Sequence, residues 1–133
     1  MPTAALSSSD LARLKTALEA RRQALRDEAK AQMQGSGDDR VVGLANRIGE
    51  TDDWAVADAL AELDIGQVRH TLAELSDVDS ALARMRDGTY GECVDCGTTI
   101  APARLFAYPA ARRCIACQQA WEKKAAGPPL TAV

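Results

Sequence analysis

The sequence predicts a mainly α protein: an antiparallel helical hairpin of coiled-coil type, followed by a small four-cysteine module and a short C-terminal helix. Three observations carry this expectation. Apolar residues make up 47% of the 133 residues but only five are aromatic, which suits Leu- and Ala-rich helix packing rather than a sheet core. Two long stretches repeat apolar residues at three- and four-residue steps. The four cysteines fall in two tight pairs, Cys93 with Cys96 and Cys114 with Cys117.

The first helix should begin at Ser7, Ser8, Ser9 and Asp10, which offer N-cap hydroxyls and an acid for the first turn. Leu11, Leu14, Leu18 and Leu25 then form the seam of a heptad, interrupted by Arg21 and Glu28. Glycines and short polar residues over 34–39 compete with helical hydrogen bonding, so the helix should end near Met33. The stretch 41–48 is apolar enough for a further helical turn or two, although Gly43 and Gly49 speak against a long one. From 52 to 87 there is neither proline nor a turn cluster. Val56, Leu60, Leu63, Val68, Leu72, Leu75, Val78, Leu82 and Met85 recur there at helical spacing, predicting one long helix with Gly66 as its soft spot. A rod of some 35 residues would measure about 50 Å. Its single apolar stripe needs a partner, and the seam of the first helix supplies one.

Gly88 should cap the long helix, and Gly97 suits a tight metal-binding turn that needs positive φ. Pro102 and Pro109 break up the spacer, and the second cysteine pair should open a terminal helix whose dipole favours thiolates. The chain thus divides into a hairpin over 1–87 with an acidic bend near 34–55, a zinc-finger module with its helix over 88–124, and a disordered tail over 125–133 marked by Gly127-Pro128-Pro129.

Zinc follows from the cysteine spacing. A two-residue gap lets one turn aim both sulfurs of a pair at one tetrahedral ion, and four thiolates leave no open position, so Cys93, Cys96, Cys114 and Cys117 read as ligands of one structural Zn²⁺. Free buried thiols and a CxxC redox couple are weaker accounts. His70 reads as a surface or seam residue rather than a ligand. Arg104, Arg112 and Arg113 flank the cysteines, where they can offset thiolate charge or meet a partner.

Net charge is −3 and the pI about 5.1, which denies the chain the positive field of a general nucleic-acid binder. No apolar run approaches the roughly 20 residues of a membrane span, and residues 1–9 lack signal-peptide character, so a cytoplasmic location is expected. Charge is uneven: 50–79 holds nine acids and one base, whereas 11–30 holds six bases and three acids. Most of these charges should solvate the arms or pair across them. Glu50, Asp52 and Asp53 sit at the expected bend beside Trp54, and point to a cationic or metal-bearing partner.

A hairpin with an acidic tip followed by a four-cysteine module resembles the DksA/TraR family of bacterial transcription regulators. In the first arm, Leu18-Glu19-Ala20 and Leu25-Arg26-Asp27-Glu28 resemble the family's helix. Tyr90-Gly91, Cys93, Cys96-Gly97, Ile100, Arg104-Leu105, Ala107, Pro109, Cys114 and Cys117 match its zinc-finger pattern. The resemblance implies a partner, RNA polymerase, whose secondary channel the hairpin enters without reading a DNA sequence. It also implies a tip of two acids and an alanine, which falls on Glu50, Asp53 and Ala55, with Asp52 competing for the place of Asp53. Positions where the best-known members carry basic side chains near ppGpp are Asp77, Tyr108 and Gln118 here, which argues against cooperation with that alarmone.

Two other readings use the same residues. A groove-binding zinc finger would contact phosphates through Arg104, Arg112, Arg113, Lys123 and Lys124, and the overall acidity counts against it. A coiled-coil adaptor would pack its hairpin on another helix pair. An enzyme is not expected, because no phosphate loop, paired nucleophile and base, or open metal site is visible.

Overall fold

The structure, a computed structural model, describes residues 6–48, 56 and 66–126. Among the described residues five helices have defined bounds, in order: α1 (Ser8–Gln34), α2 (Asp39–Ala45), α3 (Gly66–Asp87), α4 (Pro102–Ala107) and α5 (Ile115–Ala126). The described residues form no strand, and one isolated antiparallel bridge joins Glu92 to Thr99.

A capping box starts α1. Ser7 Oγ accepts from the Asp10 N–H at 3.0 Å, while Asp10 Oδ2 accepts from the Ser7 N–H at 3.2 Å. Leu14, Leu18, Leu25, Ala29 and Met33 are its buried stripe. Leu11, expected in the seam, is instead 36% exposed. The seam bends away from it at the base of the hairpin, where Leu14 turns toward the cysteine module, and at the other end it continues through Ala29 and Met33. Arg21 explains one interruption, since its guanidinium leaves the seam to meet Glu74 at 2.6 Å.

Asp38 caps α2, accepting from the Arg40 N–H at 2.9 Å and holding the Arg40 guanidinium at 2.8 Å. These two turns start two residues ahead of the expected 41–48 segment and add Val41 and Ala45 to the core, with Ile48 following beyond the helix. Gly43 is tolerated because the helix is short and the space around it is open. The helix expected over 52–87 is described over 66–87, with Val56 also helical and buried. Positions 52–55 and 57–65, Leu60 and Leu63 among them, lie outside the described residues.

α1 and α3 run antiparallel. Arg22 meets Asp79 at 2.7 Å near the base, and the Thr71 hydroxyl lies 3.0 Å from Gln32 Oε1 toward the other end. Val68, Leu72, Leu75, Val78, Ala81 and Leu82 interlock with the stripe of α1, each large side chain contributing about 1.5–3 kcal/mol on burial. The basic and acidic arms pair as their composition foretells, through Arg21–Glu74 and Arg22–Asp79. Partly exposed pairs of this kind contribute only about 0.2–1 kcal/mol each.

A Schellman turn ends α3. With Gly88 at φ +81°, the Gly88 N–H donates to the Met85 carbonyl at 3.4 Å and the Thr89 N–H to the Arg84 carbonyl at 2.9 Å. A second apolar cluster follows at once, made of Leu14, Cys93, Ile100, Leu105 and Ala111. Met85 and Tyr90 pack against both clusters, and Ala110 reaches back into the first, so hairpin and cysteine module share one continuous interior.

Candidate metal centre

The first cysteine pair sits on a tight loop that is built to expose main-chain N–H groups to sulfur. The Gly97 N–H closes it on the Cys93 carbonyl at 2.9 Å, and Gly97 takes φ +77°, a conformation that costs an L side chain about 1–2 kcal/mol. The Cys93 N–H returns to the Thr98 carbonyl at 2.7 Å, and the Ile100 N–H to the Gly91 carbonyl at 2.7 Å. The second pair uses a helix start instead. Cys114 immediately precedes α5 and Cys117 lies in its first turn, with the Gln118 N–H donating to the Cys114 carbonyl at 2.9 Å. The expected terminal helix therefore begins at the second pair.

All four Sγ atoms lie within 4.8 Å of one another, and Cys96 and Cys114 are 3.9 Å apart. Four sulfurs at about 2.3 Å from one ion would stand roughly 3.8 Å apart, so the cluster has the size of a tetrahedral Zn²⁺ cage. The donor set is soft, complete without solvent, and suited to one structural ion.

The thiols are unequal. Burial pushes the Cys93 thiol up, but N–H groups of Cys96, Cys114 and Asp95 more than offset this and bring it down to about 6. Cys96 is lowered by the Thr98 hydroxyl, 2.9 Å from its sulfur. Cys117 is raised to about 12, chiefly by the neighbouring Cys114 sulfur and then by Cys93 and Cys96. Crowded sulfurs resist full ionisation among themselves, and a divalent cation relieves that repulsion.

The three flanking arginines have assignments that their position alone did not reveal. Arg113 Nε donates to Asp95 Oδ2 at 2.7 Å, and its guanidinium carbon lies 5.0 Å from the centre of the Trp121 ring. It thus clasps the first cysteine loop to α5. Arg104 Nε donates to the Arg113 carbonyl at 3.0 Å, fixing the chain one residue before Cys114. Arg112 pairs with Asp77 of α3 at 3.4 Å and ties the module to the hairpin. Their direct contacts are with acids, a ring and main chain, not with the sulfurs. That also leaves them less free for phosphates than the groove-binding reading needs.

Two residues of the junction carry more than their sequence context suggested. Tyr90, in the Tyr-Gly-x-Cys run, donates its hydroxyl proton to the Pro109 carbonyl at 2.8 Å. Arg84 reaches Ser80 Oγ at 2.9 Å and the Ala111 carbonyl at 3.4 Å, and burial followed by the neighbouring Arg112 lowers its pKa. His70 is exposed on α3, in keeping with a surface role. The expected tip residues Glu50, Asp52, Asp53 and Ala55, with Trp54, lie outside the described residues, as does 127–133 of the tail. Among the described residues no helix is long and apolar enough to cross a membrane.

A metal-clamped knob on an antiparallel helical hairpin defines a small class of zinc-finger proteins, and residues 88–123 match the prokaryotic dksA/traR C4-type zinc finger. The chain belongs to the DksA/TraR family. It is 40% identical over 73 residues to an uncharacterized protein of Haemophilus influenzae, covering 51% of this chain and 93% of that one. It is also 40% identical over 50 residues to the RNA polymerase-binding transcription factor DksA of Caulobacter vibrioides, covering 38% of this chain and 35% of that one. The transcription factor DksA2 of Pseudomonas aeruginosa shares the fold, with a TM-score of 0.62 at 20% identity over 96% of this chain and 94% of the other. The chain spans from about a third to half the length of the first curated relatives it matches, 35% and 50%.

Proposed function

We propose that this protein is a transcription regulator that binds RNA polymerase through its secondary channel and acts on initiation through the acidic bend of its hairpin. The observation that carries the reading is the antiparallel hairpin joined through one core to a four-cysteine knob, in a family that includes a protein named as an RNA polymerase-binding transcription factor. The hairpin over 1–87 is the probe, and the module over 88–124 is its stop and anchor. Zinc is structural: held by Cys93, Cys96, Cys114 and Cys117, it supplies cross-linking rather than reactivity.

An arm of some 35 residues extends about 50 Å, enough to carry a few carboxylates down a narrow pore. Glu50, Asp52 and Asp53, with Ala55 beside them, would there act on Mg²⁺ or mobile basic groups at close range, where Coulomb energies are largest. Asp53 is the main effector of this group. Asp77 holds Arg112, and Tyr108 and Gln118 carry no charge at neutral pH, which argues against cooperation with ppGpp. It acts in the cytoplasm, beside the polymerase, and reads no DNA sequence.

The test is a transcription assay paired with a pull-down on core RNA polymerase. Asp53→Asn is expected to retain polymerase binding and to lose the effect on promoter complexes. Equal activity of the two proteins would remove Asp53 from the mechanism, and failure of the unaltered protein to bind polymerase would remove the reading itself.

A further inference from the structure

The zinc module closes one flank of the hairpin base, where the Arg13 guanidinium carbon lies 5.4 Å from the centre of the Phe106 ring. The opposite flank is open. There α1 and α3 leave a groove of about 550 Å³ with Leu11, Leu82 and Met85 on its floor and Lys15 and Arg86 on its rim. Leu11 has the spacing of a seam residue but is 36% exposed, because nothing in the described chain covers it. Leu82 is 7% exposed and Met85 half-buried, so Leu11 is the apolar group this floor presents, and an exposed seam residue between two cations marks a place for a partner.

The charges say which kind. Arg22, also on the lining, is ion-paired with Asp79, whereas Lys15 and Arg86 have no carboxylate partner among the described residues. Glu19 is the one lining acid left unpaired by the described residues. Ser8 at the N-terminal end of α1 also lines the groove, but the Ser7–Asp10 capping box occupies that helix start, so the cations of the lining are its side chains. At the C-terminal end of α3 the opposing carbonyls of Arg84 and Met85 are consumed by the N–H groups of Thr89, Tyr90 and Gly88. From Ser8 to Arg22 the lining follows α1 for about 20 Å, the length of three to four helical turns.

We propose that this groove docks an acidic amphipathic helix of a partner protein, its apolar stripe on Leu11, Leu82 and Met85 and its carboxylates at Lys15 and Arg86. The mode is helix-in-groove recognition with charge at the rim, and it stands apart from the polymerase reading because it uses no tip residue. A nucleic acid would share the cations but has no use for the apolar floor.

The test uses zinc-loaded full-length protein with labelled methyl groups. The probe is a synthetic helical peptide of about four turns made of Leu and Glu, with a Leu and Lys counterpart as control. At about 1 mM the acidic peptide is expected to shift the Leu11, Leu82 and Met85 signals. Lys15→Glu with Arg86→Glu should weaken binding roughly tenfold. Leu11→Ser should weaken it independently, and unmoved Leu25 and Ala29 signals verify the fold of both variants. Equal binding of the two peptides, or unshifted groove signals at that concentration, overturns the proposal. So does a shift of the same signals with protein concentration alone, which assigns the groove to a second copy of this chain.

Discussion

Tyr90 shows how much one side chain can be asked to do. Burial pushes its phenol from the ordinary 10.0 up to about 12, and its proton is held by the Pro109 carbonyl at 2.8 Å. A raised pKa means that the fold prefers the neutral phenol. Its contribution is therefore complete below pH 10 and is lost as pH climbs toward about 12. Tyr90→Phe should cost about 1 kcal/mol near neutral pH and flatten the alkaline part of the stability curve, as read by denaturant titrations across that range. At the cysteines the stakes are larger, since zinc binding to such a thiolate set has an apparent worth of roughly 10–16 kcal/mol near neutral pH. Metal analysis should give one zinc per chain, and Cys114→Ser should release it and unfold the α4–α5 region. A zinc-free variant with unchanged circular dichroism and melting would contradict this.

At the scale of elements, helix ends matter as much as helix faces. The α3 end rests on Gly88 at φ +81°, a conformation that costs an L residue about 1–2 kcal/mol. Open space surrounds that position, so Gly88→Ala should lower stability by about this backbone cost alone, measured as an earlier urea midpoint with unchanged slope. Much of this level was legible in the sequence. The Ser7–Asp10 start, the apolar steps of 66–87, the Gly88 stop, the Gly97 turn and the helix at Cys114 all follow from short-range chemistry that acts the same way in any context. Leu11 was misplaced because heptad spacing says which side chains share a face and not where the partner helix ends. The arginine clasps escaped for a related reason. Arg112 with Asp77 and Arg113 with Asp95 join residues 35 and 18 positions apart, and no local pattern encodes which acid a long flexible cation will find.

At the scale of the whole molecule, the zinc knob and the hairpin base are not separable packing units. Leu14 of α1 lies among Cys93, Ile100, Leu105 and Ala111, and Met85 and Tyr90 pack against both clusters. Chelation should therefore loosen more than the cysteine loops. Hydrogen exchange after metal removal is expected to quicken at Leu14 and Met85 as well as at 93–117, while Ala29 and Met33 at the distant end stay protected. Exchange confined to the cysteine loops would show that the two clusters open independently.

That shared interior also settles where the arm points. No hinge separates α3 from the cysteines: the few residues between Asp87 and Cys93 are occupied by a Schellman turn, a half-buried tyrosine and a glycine at φ +90°. The bearing of the hairpin is thus fixed by side chains before any target is met. Such a molecule arrives already aimed, and docking it forfeits little of the orientational freedom that a jointed one would have to surrender.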